Sequence, residues 1–396
     1  MSWYVYIARC SDNTLYTGMT DDTEKRFKVH NSGKGAKYTR ARLPVTFAYR
    51  EECQSRGEAL SRERKIKRLT HIQKEKMCEE YQKNIDLSKN MGYNEINFNK
   101  GDEKMIYTIE NDKIKASFSD VGAELVSLIN KADGEEYLWQ GDAAYWTGHA
   151  YNLFPICGRL TEGKYTYKGE TYEMNLHGFA RKTSIPVTKQ EDKKITFTLT
   201  SNEDTLKIYP FKFKLDITYS LCRNALTTAF TLKNADDKVM YFAFGGHPGF
   251  NVPLGGDGSF EDYYLEFDEE AAPEKLMMSE TCYYLGKNEK FDGIDGKVIN
   301  LKHSLFDNDA VFLYNVPKAV TLKNKVSART VRVEYPDMQY LGIWHAPKTE
   351  APYVCIEPWY SIPADDGKID DLENKREMMT LDPKGTYKTK LVFKIS

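Results

Sequence analysis

The sequence contains no apolar run approaching the ~18 residues that a membrane-spanning helix needs. Its opening Met-Ser-Trp-Tyr-Val-Tyr has neither the basic head nor the apolar middle of a secretory signal. Those absences argue against a membrane or exported protein, and the chain reads as cytoplasmic. It has no Cys-x-x-Cys pair, and its seven cysteines are an odd, scattered set. A disulfide framework and a thiolate zinc site therefore lack support, and reduced buried thiols are expected. Internal repeats are absent, and helical periodicity is scarce beyond residue 105. What remains is the composition of a globular protein: 396 residues, 41% hydrophobic and 29% charged. That length allows one large domain or two to three ordinary ones.

The net charge of −2 conceals a division. Residues 1–90 carry a net charge of +7 and the remainder a net −9, so a basic module is joined to an acidic one, and the basic one is a candidate for binding phosphates or nucleic acid. Between Asp86 and Lys104 the sequence is rich in Asn, Gly and charge and reads as a linker. The expected organisation is a module over 1–85, a linker over 86–103 and a second module over 104–396. In the first, strands are expected at Trp3–Ala8 and Leu15–Met19, a short helix capped by Asp21-Asp22-Thr23 runs to about His30, and a second helix spans Glu58 to about Tyr81. In the second, Phe213, Leu215, Ile217, Tyr219 and Leu221 alternate with polar residues, as do Ile195, Phe197 and Leu199. Such period-2 runs, separated by turn signals such as Cys222-Arg-Asn, predict a large antiparallel β-sandwich.

Four motifs of the second module set polar residues in apolar context: Asn152-Leu-Phe-Pro-Ile-Cys-Gly-Arg159, Asn175-Leu-His177-Gly-Phe-Ala-Arg181, Gly245-Gly-His247-Pro-Gly-Phe250 and Cys355-Ile-Glu357-Pro-Trp359. Imidazole exchanges protons near neutrality, and a partly buried Glu can be raised into that range, so the set suits acid/base proton transfer. Taken singly, each histidine is more often a structural turn residue, and each of Trp139, Trp146, Trp344 and Trp359 has a core reading beside that of a sugar-stacking face. Gly158-Arg-Leu-Thr-Glu-Gly163-Lys164 has phosphate-loop spacing, but Tyr165 stands where a Ser or Thr must hold magnesium, and the following residues alternate like a hairpin. A nucleotide site is not expected there.

In this order, the motifs resemble the aldose 1-epimerase (galactose mutarotase) family, in its LacX-like branch, over essentially all of residues 105–396. The resemblance implies a β-sandwich of the galactose mutarotase-like supersandwich type, needing no cofactor and acting on a small-molecule sugar. It implies Glu357 as general base at the anomeric hydroxyl, His247 as the acid that protonates the ring oxygen, and His177 and Arg159 as positioning groups. Asn152 and Trp359 are further sugar-binding candidates. Phe306-Asp307-Asn-Asp309 resembles the segment that supplies a binding Asp, with Asp309 preferred to Asp307. Ring opening needs one proton removed and one delivered at a neighbouring oxygen, which two side chains can do. A glycosidase built on Glu357 and Asp309 would leave the histidines unused. A non-catalytic sugar-binding protein, and a mutarotase for a phosphorylated sugar contacted by Arg159, Arg181 and Lys182, remain alternatives.

In the first module Tyr4-Val-Tyr6, Tyr16-Thr-Gly18, Glu24-Lys-Arg26-Phe, His30-Asn-Ser-Gly-Lys34 and Glu58-Ala-Leu-Ser-Arg-Glu63 resemble the GIY-YIG nuclease superfamily, in its small UPF0213 type, over about residues 1–80. The resemblance implies catalytic roles for Tyr6, Tyr16 and Arg26, with Glu63 as ligand of Mg2+ or Mn2+ and Glu58 as its rival. Tyr4 replaces the first Gly of the family name and Thr17 the Ile. DNA is the implied partner of residues 1–85, attracted by seven basic residues from Arg62 to Lys76; binding without cleavage is the alternative. No membrane partner is expected, and the oligomeric state is not legible.

Overall fold

The computed structural model describes residues 3–53, 56–71, 73–78, 81 and 104–396. The chain divides into two compact units, Met1–Asn94 and Glu95–Ser396. The linker expected over 86–103 lies outside the described residues. None of the described helices is long and apolar enough to cross a membrane.

In the first unit, β1 (Trp3–Arg9) lies between β2 (Leu15–Thr20) and β3 (Thr46–Cys53), antiparallel to both. Because side chains alternate across a strand, β1 supplies two cores. Val5 and Ile7 pack with Ala59 and Ile66, while Tyr6 and Ala8 pack with Cys10 and Val45. Helix α1 (Thr23–Val29) starts where Asp22 accepts the Lys25 amide, as the sequence implied. A second short helix, α2, covers Lys37–Arg40. Neither α2 nor β3 was foreseen. The single helix expected over 58–81 is interrupted: α3 spans Arg56–Lys67, and helix resumes only at residue 71. Thr70 causes the break. It and Gln73 form a reciprocal capping box, with Thr70 N–H to Gln73 Oε1 at 2.9 Å and Gln73 N–H to Thr70 Oγ1 at 3.3 Å.

The second unit is the expected antiparallel β-structure. Among the described residues, one sheet has nine strands, centred on Phe213–Cys222, Ala225–Asn234 and Thr386–Ile395. Another has seven, with Val311–Tyr314, Tyr340–Trp344, Tyr353–Trp359, Gly245–Asn251 and Ala150–Leu153 adjacent in that order. The alternation of Phe213 to Leu221 is the observed burial pattern, and the Cys222–Ala225 hairpin turns through Arg223 at φ 54°. The sheets share one core, with Phe250 against Phe393 at 5.8 Å and Phe230 against Phe244 at 5.1 Å. Lys164–Tyr167 and Glu170–Glu173 form the hairpin expected after the false phosphate loop. All seven cysteines are free, five of them buried; Cys222 is exposed and Cys282 partly so, which corrects the expectation that all would be buried.

Candidate functional site

Alternation along two neighbouring strands builds the candidate site of the second unit. On Gly245–Asn251, Gly246 and Phe250 face the other sheet, where a Cβ at Gly246 would lie 2.5 Å from Leu391. His247 therefore points the opposite way, flanked on its own face by Gly245 and Gly249. Side chains at those two positions would collide with Trp359 and Trp146, at 2.8 and 2.9 Å. On Tyr353–Trp359, Cys355, Glu357 and Trp359 share the corresponding face, and Gly342 opposite Glu357 leaves it room. His247 Nε2 then lies 3.3 Å from Glu357 Oε1, with both side chains buried.

The electrostatics follow from that burial. Desolvation raises the Glu357 carboxyl well above its ordinary value, aided by the nearby charge of Asp309. Desolvation also pulls the His247 imidazole down to about 3. Both partners are thus pushed toward neutrality, and the pair carries a single mobile proton. His247 is enclosed by rings: Trp146 at 4.9 Å, His177 at 5.5 Å and Trp344 at 5.7 Å. His247 Nδ1 and Trp359 Nε1 are buried with no hydrogen-bond partner among the described residues.

His177 arrives on a turn at φ 63°, followed by Gly178 at φ 76°, where a Cβ would meet the Phe154 carbonyl at 2.2 Å. Its Nδ1 accepts the Gly158 N–H at 3.1 Å, so the ring proton sits on Nε2. Burial, with help from His247, Arg181 and Arg159, keeps this imidazole neutral. Asp309 sits at φ 71° beside Glu357 and accepts the Cys282 thiol at 2.7 Å, whereas Asp307 is exposed. Arg159 is half-buried, with its charge felt by His177 and Cys282.

The sequence-based set is therefore brought together, except for Asn152. That residue lies opposite Gly246 and so on the core face of its strand. Its amide donates to Gly122 O at 3.0 Å, Ala123 O at 3.1 Å and Tyr219 OH at 2.8 Å. It joins the sheets and does not face the pair. Arg181, which the sequence suggested only as an anion contact, is buried: Nε donates to Leu176 O at 3.1 Å and the guanidinium lies 5.1 Å over Tyr151.

In the first unit Gly18 lies opposite Tyr6, where a Cβ would come within 2.6 Å of the phenol oxygen. Glycine there makes room for the ring. Arg26 Nε donates to Tyr6 OH at 3.1 Å, and Tyr16 lies 6.3 Å from Tyr6 by ring centroids. His30, one turn after Arg26, completes the cluster and had no role assigned from sequence; its i,i+4 spacing from Arg26 was the available signal. Thr39 gives its proton to Ala36 O, so it accepts from His30 Nδ1 at 2.7 Å. His30 Nε2 is left to accept the Tyr6 hydroxyl at 2.8 Å. Burial pushes the Tyr6 phenol up to about 12 against the pull of Arg26, and also keeps His30 neutral. Glu63 is near enough to Tyr6 for its charge to be felt there, and its carboxylate holds Lys67 Nζ at 2.7 Å. The Glu58 side chain lies outside the described residues. Of the basic residues, Arg62 pairs with Glu51 and Lys67 with Glu63, while Arg64, Lys65 and Arg68 are exposed.

The second unit is thus a β-sandwich that holds a carboxyl, an imidazole and a second neutral histidine side by side in one buried site, and the first is a small α/β unit with a tyrosine–arginine–histidine cluster. The chain belongs to the aldose 1-epimerase family, whose model matches residues 105–369, and its first unit to the GIY-YIG family, whose catalytic-domain model matches residues 2–76. The chromosomal LacX protein of Lactococcus lactis subsp. lactis is 32% identical over 295 residues, 72% of this chain and 97% of that protein. A galactose mutarotase-like protein from Lactobacillus casei superposes with a TM-score of 0.70 at 35% identity, covering 74% of this chain and all of its own. A UPF0213 protein of Staphylococcus haemolyticus is 53% identical over 77 residues, 19% of this chain and 94% of that protein.

Proposed function

We propose that the second unit interconverts the α and β anomers of a neutral hexose, with Glu357 and His247 as the proton-transfer pair. The observation that carries this reading is the 3.3 Å contact between a carboxyl and an imidazole, both driven toward neutrality by burial. The pair's one proton first crosses the 3.3 Å contact from Glu357 to His247; Glu357 as carboxylate then takes the proton from O1 while protonated His247 gives one to the ring oxygen, and C1–O5 opens. The pair then holds its proton on Glu357 with His247 neutral. Rotation about C1–C2 and reversal of the two transfers close the ring on the other face. Both states contain the same number of protons, so turnover needs no exchange with solvent. His177 Nε2–H, Arg159 and Asp309 orient the hydroxyls, and Trp359 offers an apolar face. Arg181 is tied to Leu176 and Tyr151, which favours a neutral hexose over a hexose phosphate. Polarimetry with a panel of hexoses and hexose phosphates tests this: faster relaxation of a neutral hexose is expected, and an uncatalysed rate throughout would refute it.

For the first unit we infer phosphodiester cleavage in DNA bound through residues 1–85. Tyr6 is set to pass its proton toward His30, Arg26 donates to the same phenol, and Tyr16 lies beside Arg26. Lys67 stands in at Glu63 for a cation, and Glu63 would hold Mg2+ or Mn2+, the rest of the shell being water and phosphate oxygen. Such an ion neutralises charge on the phosphate. Incubation of the full chain with branched and single-stranded DNA plus either ion tests the inference. Cleavage that is lost in Glu63→Gln is expected; binding without wild-type cleavage would sink it.

A further inference from the structure

Cys355 has no part in the mechanism above, yet its Sγ, the His247 ring nitrogen and a Glu357 oxygen all lie within 4.8 Å of one another, and all three residues are buried. We propose that these three groups form a binding site for a thiophilic divalent cation, Zn2+ above all, and that occupancy inhibits the enzyme reversibly. The consequence for activity rests on the proposed acid/base pair; the site itself does not.

Strand geometry assembles the ligands. Cys355 and Glu357 are two residues apart on one strand and share a face, and Gly249 lies opposite Cys355. A Cβ there would be 3.4 Å from Sγ and 2.9 Å from the Trp146 ring, so glycine lets the indole and the thiol pack beside the strand. The separation of 3.3 Å between His247 Nε2 and Glu357 Oε1 is already that between two ligands of one tetrahedral zinc, about 3.4 Å for bonds near 2.1 Å. With every ligand separation under the 4.8 Å ceiling, closing the thiol onto the same ion needs a shift of no more than about 1 Å.

Charge decides which ions fit. A dication held by carboxylate, thiolate and neutral imidazole makes a neutral assembly, suited to a buried site. Thiolate favours zinc, cobalt or cadmium over magnesium and calcium. Three protein ligands leave a fourth position for water, and no fourth His, Cys, Asp or Glu joins the group among the described residues. His247 Nδ1 has no acceptor to support the metallated ring, which weakens the site and suits reversible inhibition better than a structural ion. With the metal in place, neither Glu357 nor His247 can move a proton.

Co2+ added to the full chain tests the site without reference to turnover. The expected result is a thiolate-to-cobalt charge-transfer band, displaced by Zn2+, that disappears in Cys355→Ala. In polarimetry Zn2+ should slow the wild type and EDTA restore it. Cys355→Ala should turn over without metal and need on the order of tenfold more Zn2+ for the same inhibition. A charge-transfer band in an enzyme without mutarotase activity would support the site while removing the functional reading. Absence of the band in the wild type, or unchanged inhibition in Cys355→Ala, would overturn the proposal.

Discussion

Glu357 and His247 are driven toward their neutral forms by the same loss of water, and this sets how activity should respond to pH. The working pair holds one proton. Acid must add a second before activity falls, and His247 is depressed to about 3; base must remove the only one, and Glu357 is raised. The kcat/KM profile should therefore show no acid limb near 6.5, where an ordinary imidazole would place one. A limb centred there would mean that His247 titrates as a solvated residue. Stability has its own sign. His177 is held neutral when folded, so below about 6.5 its unfolded form binds a proton that the native state refuses, and stability falls as pH drops from there.

Asn152 gives a second test at this scale. Asn152→Ala removes three hydrogen bonds, one of them to Tyr219 of the nine-stranded sheet, and leaves two carbonyls and a phenol without that partner. It should cost about 1–3 kcal/mol in denaturant unfolding while leaving the KM for sugar nearly unchanged. A large KM effect at unchanged stability would return the residue to the sugar-binding role that the sequence suggested. That role was misread because motif order records that a polar residue is present, while the face it occupies depends on strand register. Glu357, His247 and His177 were legible because Gly, Pro and apolar neighbours mark the local backbone. The break at Thr70 was not expected: its Thr-x-x-Gln pairing with Gln73 lies inside a charged run that continues a helical pattern. His30 stood in view without a partner, since its link to Tyr6 spans 24 residues.

At the scale of elements, glycines decide where the site can form. Gly178 combines φ 76° with a Cβ that would meet a carbonyl oxygen at 2.2 Å. Gly178→Ala should displace the His177 turn, lowering stability by about 2 kcal/mol or more and depressing kcat. Thermal unfolding together with polarimetry checks both effects, and a variant with native Tm and rate would contradict the packing described here. Gly18→Ala should act likewise on Tyr6, which sits under the missing side chain. The long strands of the second unit were readable from their period-2 alternation. The seven-stranded sheet was harder, because Tyr340–Trp344 and Tyr353–Trp359 are buried along their whole length and show no alternation. In the first unit β3 escaped notice because its Tyr-Arg-Glu-Glu run is mostly polar.

For the whole molecule, the +7 and −9 halves correspond to two families with separate cores. A fragment of residues 104–396 should keep the full chain's mutarotation rate, and a fragment rate far below it would show that the first unit takes part. The measurement that bears most directly on the central claim is polarimetry of the full chain beside Glu357→Gln, started from a pure hexose anomer. The account predicts accelerated relaxation by the wild type and a loss on the order of 10²- to 10⁴-fold in the variant, with sugar binding retained. An uncatalysed wild-type rate across hexoses and hexose phosphates, or an undiminished rate in Glu357→Gln, would contradict it.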